Sequence, residues 1–176
     1  MVHYRRAKTP GACYFLTLTL RDRSSDLLKH HHAQLGDALR LVRQQKPYSL
    51  PAIVLLPDHL HMLMQLPDGD ADFSARVRLL KSSFVSALRA QGVQGVRLNA
   101  KGETDVWQRR FWEHLIRDQR DFAAHVDYIH INPLKHGLVE RVSEWPFSSF
   151  HRYVRRGLLP EDWAGGAEQT IALAGE

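Results

Sequence analysis

The sequence predicts an α+β fold of the ferredoxin-like class. This is a βαββαβ chain with one antiparallel sheet and helices on one face, followed by a C-terminal helix and a tail. Three observations lead there. Short runs of aromatic, leucine and threonine residues, such as ACYFLTLTL over 12–20, read as strands. Two longer stretches between such runs repeat apolar residues at helical spacing. The length, 176 residues at 44% hydrophobic content, suits one well-buried domain and is short for two.

The elements follow in order. After strand 12–20, Leu35, Ala38, Leu39 and Val42 mark a helix over 33–46 that Pro47 ends. Strands over 50–56 and 59–66 come next, with Pro57 and Asp58 interrupting their pairing as a turn or bulge. Pro67-Asp68-Gly69-Asp70 is a turn signal. Asp72 caps a second helix over 73–90, whose core stripe is Phe73, Val77, Leu80, Phe84 and Leu88. Residues 91–104 read as a loop, and 106–116 alternates well enough for a long strand. The third helix has Asp118 as its cap and runs to Asn132, where Pro133 stops it. Periodicity fades after Gly157, which sets a domain over 1–156 and a tail over 157–176.

Bulk properties narrow the function classes. No apolar run approaches the ~18 residues of a membrane span, and MVHYRRAKTPG is followed by a strand pattern instead of a signal-peptide core. A cytoplasmic protein with no membrane partner is expected. The single cysteine, Cys13, rules out an intrachain disulfide and reads as a small core residue. Between residues 76 and 120 stand ten Lys/Arg and four Asp/Glu, a surplus larger than the +5 of the whole chain. A local surplus of that size favours a polyanionic partner.

The chemistry centres on Leu56-Pro57-Asp58-His59-Leu60-His61-Met62. In a strand His59 and His61 point to one face and Leu60 to the other, so both imidazoles can grip one divalent cation, magnesium or manganese. Such an ion acts as a Lewis acid on a scissile phosphate. Tyr128 and Asn132 lie at i and i+4 of the third helix and share a face to one side of the stripe Phe122, Val126, Ile129. From there they reach over the sheet edge. Tyr128 can attack phosphorus in line, and the Asn132 amide oxygen can serve as a third metal ligand. That reading needs an accessible phenol within reach of the imidazoles. His30, His31 and His32 read as an exposed helix start. Trp107 and Trp112 fall on opposite strand faces, so one belongs to the core and the other can stack a base.

Taken together, these segments resemble the REP-associated tyrosine transposases, a branch of the histidine-hydrophobic-histidine single-strand DNA nucleases. The resemblance spans Tyr4 to Tyr153 and rests on YRR, PGACYFLTLTLRDR, LPDHLHML, DFSARVRLLKSSF, the block WQRRFWEHLIRDQRDFAAHVDYIHINPLKHGLV, and WPFSSFHRY. It implies His59 and His61 as metal ligands, Tyr128 as nucleophile and a divalent-metal requirement. It also implies a single-stranded DNA substrate with palindromic hairpins, cut to a 5′-phosphotyrosine and a free 3′-hydroxyl. Two positions depart from common relatives: Asn132 stands where many carry glutamine, and Asp58 where many carry asparagine. The resemblance further points to Arg76, Arg78, Lys81, Arg109 and Arg110 as contacts to the DNA backbone, with affinity falling steeply with salt.

Two competing functions remain: a catalytically silent regulator that binds DNA or RNA hairpins on the same surface, and a hydrolase using metal-activated water. The hydrolase is poorly supplied, because no aspartate follows two residues after His61 and no further ligands cluster there. A monomer or a homodimer fits one nucleophilic tyrosine per chain.

Overall fold

The computed structural model describes residues 8–96 and 104–164. Tyr4 to Arg6, part of the 91–104 loop and most of the expected tail lie outside the described residues. Strands β1 (Cys13–Thr19), β2 (Ile53–Leu55), β3 (His59–Gln65) and β4 (Trp112–Leu115) form one sheet. Its order is β2-β3-β1-β4 and every pairing is antiparallel. Helices α1 (Leu27–His30) and α2 (His32–Gln45) join β1 to β2, and α3 (Phe73–Ala90) joins β3 to β4. The ferredoxin-like βαββαβ order is therefore the observed one.

Strand alternation divides the sheet into two faces. Tyr14, Leu16 and Leu18 of β1, with Leu60, Met62 and Met64 of β3, face α2 and α3 and build the larger core. Phe73, Val77, Leu80, Phe84 and Leu88 are the α3 side of that core, as its stripe predicts. Asp72 caps α3 by accepting the Ala75 N–H at 2.9 Å.

The other face is covered too, which sequence periodicity did not foretell. Helix α4 (Gln119–Lys135) lies across it, with Val126, Tyr128 and Ile129 packed on Cys13, Phe15, Val54 and Leu63. The third helix thus sits on the sheet and does not reach over its edge. Cys13 belongs to this second core, and burial pushes its thiol up to about 12. Beyond α4 come a 3₁₀ turn (Val142–Glu144) and α5 (Phe150–Arg155). Leu159 and Trp163 then pack with Phe150 and Ile131, so the start of the expected tail belongs to the domain.

Two boundaries need correction. Residues 106–116 are not one long strand: only Trp112–Leu115 pairs along β1, with an isolated bridge from Trp107 to Leu20. Trp107 turns into the larger core against Phe84, at 5.6 Å between ring centroids, and Lys81 ties the intervening chain by donating to the Gln108 carbonyl. Nor does Pro133 stop the third helix. Pro133 lacks the N–H that would bond the Ile129 carbonyl, yet α4 runs on to Lys135. Gly137 ends it, with φ +66°. The Gly137 N–H donates to Leu134 and the Leu138 N–H to Pro133, a Schellman closure. Those three extra residues matter, because they carry Lys135 and His136 to the site.

Candidate active site

The β1–β3 register pairs Thr19 with His59 and Thr17 with His61. Both imidazoles therefore stand on the α4 face, while Leu60 points into the larger core. His59 is 3% exposed and His61 fully buried, their ring centroids 4.9 Å apart. Each Nδ1 is already held: His61 Nδ1 by Thr17 Oγ1 at 2.8 Å, His59 Nδ1 by the Asp58 carboxylate at 2.7 Å. These partners fix the ring orientations and leave Nε2 as the ligating nitrogen, the usual support for a metal-bound histidine. Burial alone would raise the Asp58 carboxyl. The hydrogen bonds and charges of His59 and Arg23 outweigh it and hold the carboxyl below the usual range.

Asn132 lies one turn beyond Tyr128 on α4 and is fully buried. Neither its Oδ1 nor its Nδ2 has a hydrogen-bond partner, and His59 Nε2 has none either. Unpaired polar atoms at such depth cost about 1–3 kcal/mol each unless something binds them. Two imidazoles sharing one ion, with metal–nitrogen bonds near ~2.1 Å, keep their centroids about 4.5–5.4 Å apart. His59 and His61 satisfy that spacing, as do His59 and His136 at 5.3 Å. The donor set fits a divalent cation.

Tyr128 is brought to the same place. Its ring meets His61 edge-on at 5.3 Å and Phe15 at 5.7 Å, and the Lys135 Nζ lies 5.0 Å from its centroid. Convergence of phenol and imidazoles is thus met. Accessibility is not: Tyr128 is only 3% exposed, so a large substrate would reach it only after neighbouring side chains move. Lys135, His136 and Thr17 were missed in the sequence. The pattern LKHG after Asn132-Pro133 held the signal for the first two, once Gly137 is taken as the helix end.

A second cluster was missed as well. His114 on β4 and Asp121 and His125 on α4 place ligand atoms within 4.8 Å of one another. The group can be read as a metal site, but its geometry favours a strut. The two rings stack nearly parallel, 18° apart at 4.7 Å, so their in-plane lone pairs do not converge. Asp121 already accepts from the His114 ring, the Arg117 side chain and the Arg117 N–H. Burial works against ionisation there, but those bonds win and bring the Asp121 carboxyl to about 2.

The expected DNA contacts separate. Arg109 and Arg110 are exposed just before β4. Arg78 is exposed, and Lys81 is engaged with Gln108 and the rings of Trp107 and Phe111, but both sit on α3, across the sheet from the histidines. Arg76 is not a surface cation. It is 1% exposed and donates to the Lys46, Pro47 and Asp72 carbonyls and to Asp70. Arg76→Ala should therefore cost about 2–4 kcal/mol in a urea titration, with the salt slope of DNA binding unchanged. A normal unfolding midpoint with a shallower salt slope would reverse that assignment.

No family model matches the chain. An Escherichia coli REP-associated tyrosine transposase is 46% identical over 176 residues, covering all of this chain and 98% of that one. The chain belongs to the REP-associated tyrosine transposases. A Haemophilus influenzae protein bearing the same family name is 44% identical over 97% of this chain and 98% of its own. A solved REP-associated tyrosine transposase bound to a REP hairpin matches with TM-score 0.82 and 46% identity, over 94% of this chain and 93% of that one. A Deinococcus radiodurans structure shares the fold alone, at TM-score 0.50 and 16% identity over 69% of this chain and 92% of that one. Among the described residues no helix is long and apolar enough to cross a membrane.

Proposed function

We propose that this transposase cleaves and rejoins single-stranded DNA at REP-type palindromic hairpins, with Tyr128 as nucleophile and magnesium or manganese as cofactor. The observation that carries the reading is the convergence of Tyr128, at 5.3 Å from His61, with the orphaned donors of His59 and Asn132. The hairpin complex of the related transposase supports the substrate class. Action on chromosomal DNA is in keeping with a cytoplasmic protein.

His59, His61 and Asn132 would hold the ion, with His136 as a further imidazole donor at the solvent edge. When bound, such an ion would withdraw electron density from the scissile phosphate and stabilise its charge. The Tyr128 oxygen attacks phosphorus as its proton leaves, and the bond to the 3′-oxygen breaks. The departing 3′-oxygen takes up a proton, so the products are a 5′-phosphotyrosine and a strand ending in a 3′-hydroxyl. The Lys135 ammonium lies 5.0 Å from the ring centroid, a cation–π contact that keeps a positive charge beside the attacking group. The phosphotyrosine retains the energy of the broken phosphodiester, so a 3′-hydroxyl can reverse the step without ATP. With one such tyrosine per chain, a monomer acts on one strand at a time and a homodimer on two.

The burial of Tyr128 favours a second reading, a catalytically silent hairpin-binding regulator. Incubating the protein with labelled single-stranded hairpins in magnesium or manganese separates the two. A labelled band that survives denaturing electrophoresis supports the transposase. Binding without such a band, across a panel of REP-like hairpins, supports the regulator. Cut DNA with no attached protein would point to activated water instead.

A further inference from the structure

Sheet register places a second aromatic feature beside the candidate site. Val54, His61, Thr17 and Trp112 form one cross-strand row running β2-β3-β1-β4. Trp112 thus lies on the same face as His61, two strand spacings away, roughly 10 Å. Phe15 bridges the gap, touching His61 at 5.4 Å, Tyr128 at 5.7 Å and Trp112 at 5.7 Å. Yet Trp112 is 49% exposed, whereas Trp107 and Trp145 are each 6% exposed. A large indole left in water on a strand whose neighbours are all partly covered calls for a function.

The indole is also held rigidly. Its plane lies 5° from that of His114, with centroids 6.0 Å apart, and His114 in turn stacks on His125 at 4.7 Å. Three rings thus form a column with Trp112 at its open end. Asp121 pins the inner two, receiving the His114 Nε2 hydrogen bond at 2.9 Å while lying 3.1 Å from His125 Nδ1. A pre-ordered aromatic face loses little conformational freedom when a further flat ring settles on it. Exposed cations flank the strand in the chain: Arg110 precedes β4 and Arg117 follows it. A planar, apolar group attached to a polyanion fits both features. A nucleobase is such a group.

We propose that Trp112 is a stacking platform for an unpaired base of the single strand flanking the scissile phosphate, about one or two nucleotides from the bond at Tyr128. The inference rests on the DNA reading above and adds a subsite to it. Sequence tolerance follows, since every base has a π-face. The platform grips the single-stranded flank and not the paired stem, so it sets where along the strand the reactive phosphate comes to rest.

The test compares wild type, Trp112→Ala and Trp112→Phe on two DNAs in the same salt. One is a REP-like hairpin with a single-stranded flank, the other the same hairpin cut flush. Trp112→Ala should weaken binding of the flanked hairpin by about tenfold or more and leave the flush one within about twofold. Trp112→Phe should restore most of the loss. A fluorescent adenine analogue in the flank should be quenched by wild type and Trp112→Phe, and not by Trp112→Ala.

Equal binding of the flanked hairpin by Trp112→Ala overturns the platform while leaving the transposase reading intact. Equal loss on both hairpins overturns it in favour of a structural role. A change in sedimentation of Trp112→Ala without DNA assigns the indole to a contact between copies and overturns it likewise. Failure of wild type to bind any hairpin removes the DNA reading and the platform together.

Discussion

Replacing Tyr128 with phenylalanine should abolish the covalent DNA adduct, by at least about 10,000-fold in rate, with hairpin affinity held within about threefold. Only one oxygen is removed. The ring that packs on Phe15 and His61 remains, so the second core should lose no more than about 1 kcal/mol. No other described tyrosine is placed to substitute. Tyr14 lies on the far face with its hydroxyl on the Thr9 carbonyl, Tyr48 donates to Leu39, and Tyr153 donates to Pro51. Denaturing gels read the adduct, and filter binding reads the affinity. Surviving cleavage in Tyr128→Phe would show that a different group attacks. Lost binding would show that the phenol positions DNA rather than reacts with it. Because Tyr128 is covered in this conformation, adduct formation in the wild type should trail hairpin binding, the lag reporting the opening that exposes it.

How much of this arrangement the chain itself announces depends on the range of the forces involved. Helix α3 is legible because its signals are local: a cap at Asp72 and apolar residues one turn apart. Strand alternation likewise announces that His59 and His61 share a face, a consequence of pleat geometry alone. The end of α4 is misjudged because proline is a strong local stop, whereas the Schellman closure at Gly137 depends on two carbonyls reached from outside the helix. Arg76 is misjudged because charge reads as surface, and only tertiary packing shows three backbone carbonyls waiting for a guanidinium. The position of α4 on the open face is also non-local. Val126, Tyr128 and Ile129 are as compatible with a sheet edge as with a sheet face until Phe15 and Leu63 are seen beneath them. Reactive groups in this fold come together through register and packing, so their identities are easier to read than their contacts.

Removing either imidazole should lower manganese affinity by more than about 100-fold, read by calorimetry or by the electron paramagnetic spectrum of the ion, without reference to turnover. His59→Ala and His61→Ala each delete one of the two nitrogens that the strand presents, and the donors that remain, one strand imidazole with Asn132 and His136, hold a divalent cation far more weakly against water. Thr17→Val is the subtler variant. It removes the oxygen that holds His61 Nδ1 and should cost about tenfold through ring misorientation while leaving both ligands in place. Chelation of the wild type should stop adduct formation, and magnesium or manganese should restore it. The rival centre is separable in the same experiment. If the ion is held by His114, Asp121 and His125, His61→Ala should bind manganese normally and His125→Ala should not. The near-parallel stacking of His114 on His125 argues for the opposite result. Lone pairs lie in the plane of an imidazole, so rings stacked 18° apart aim them side by side, whereas His59 and His61, at 82°, can turn theirs to a common point.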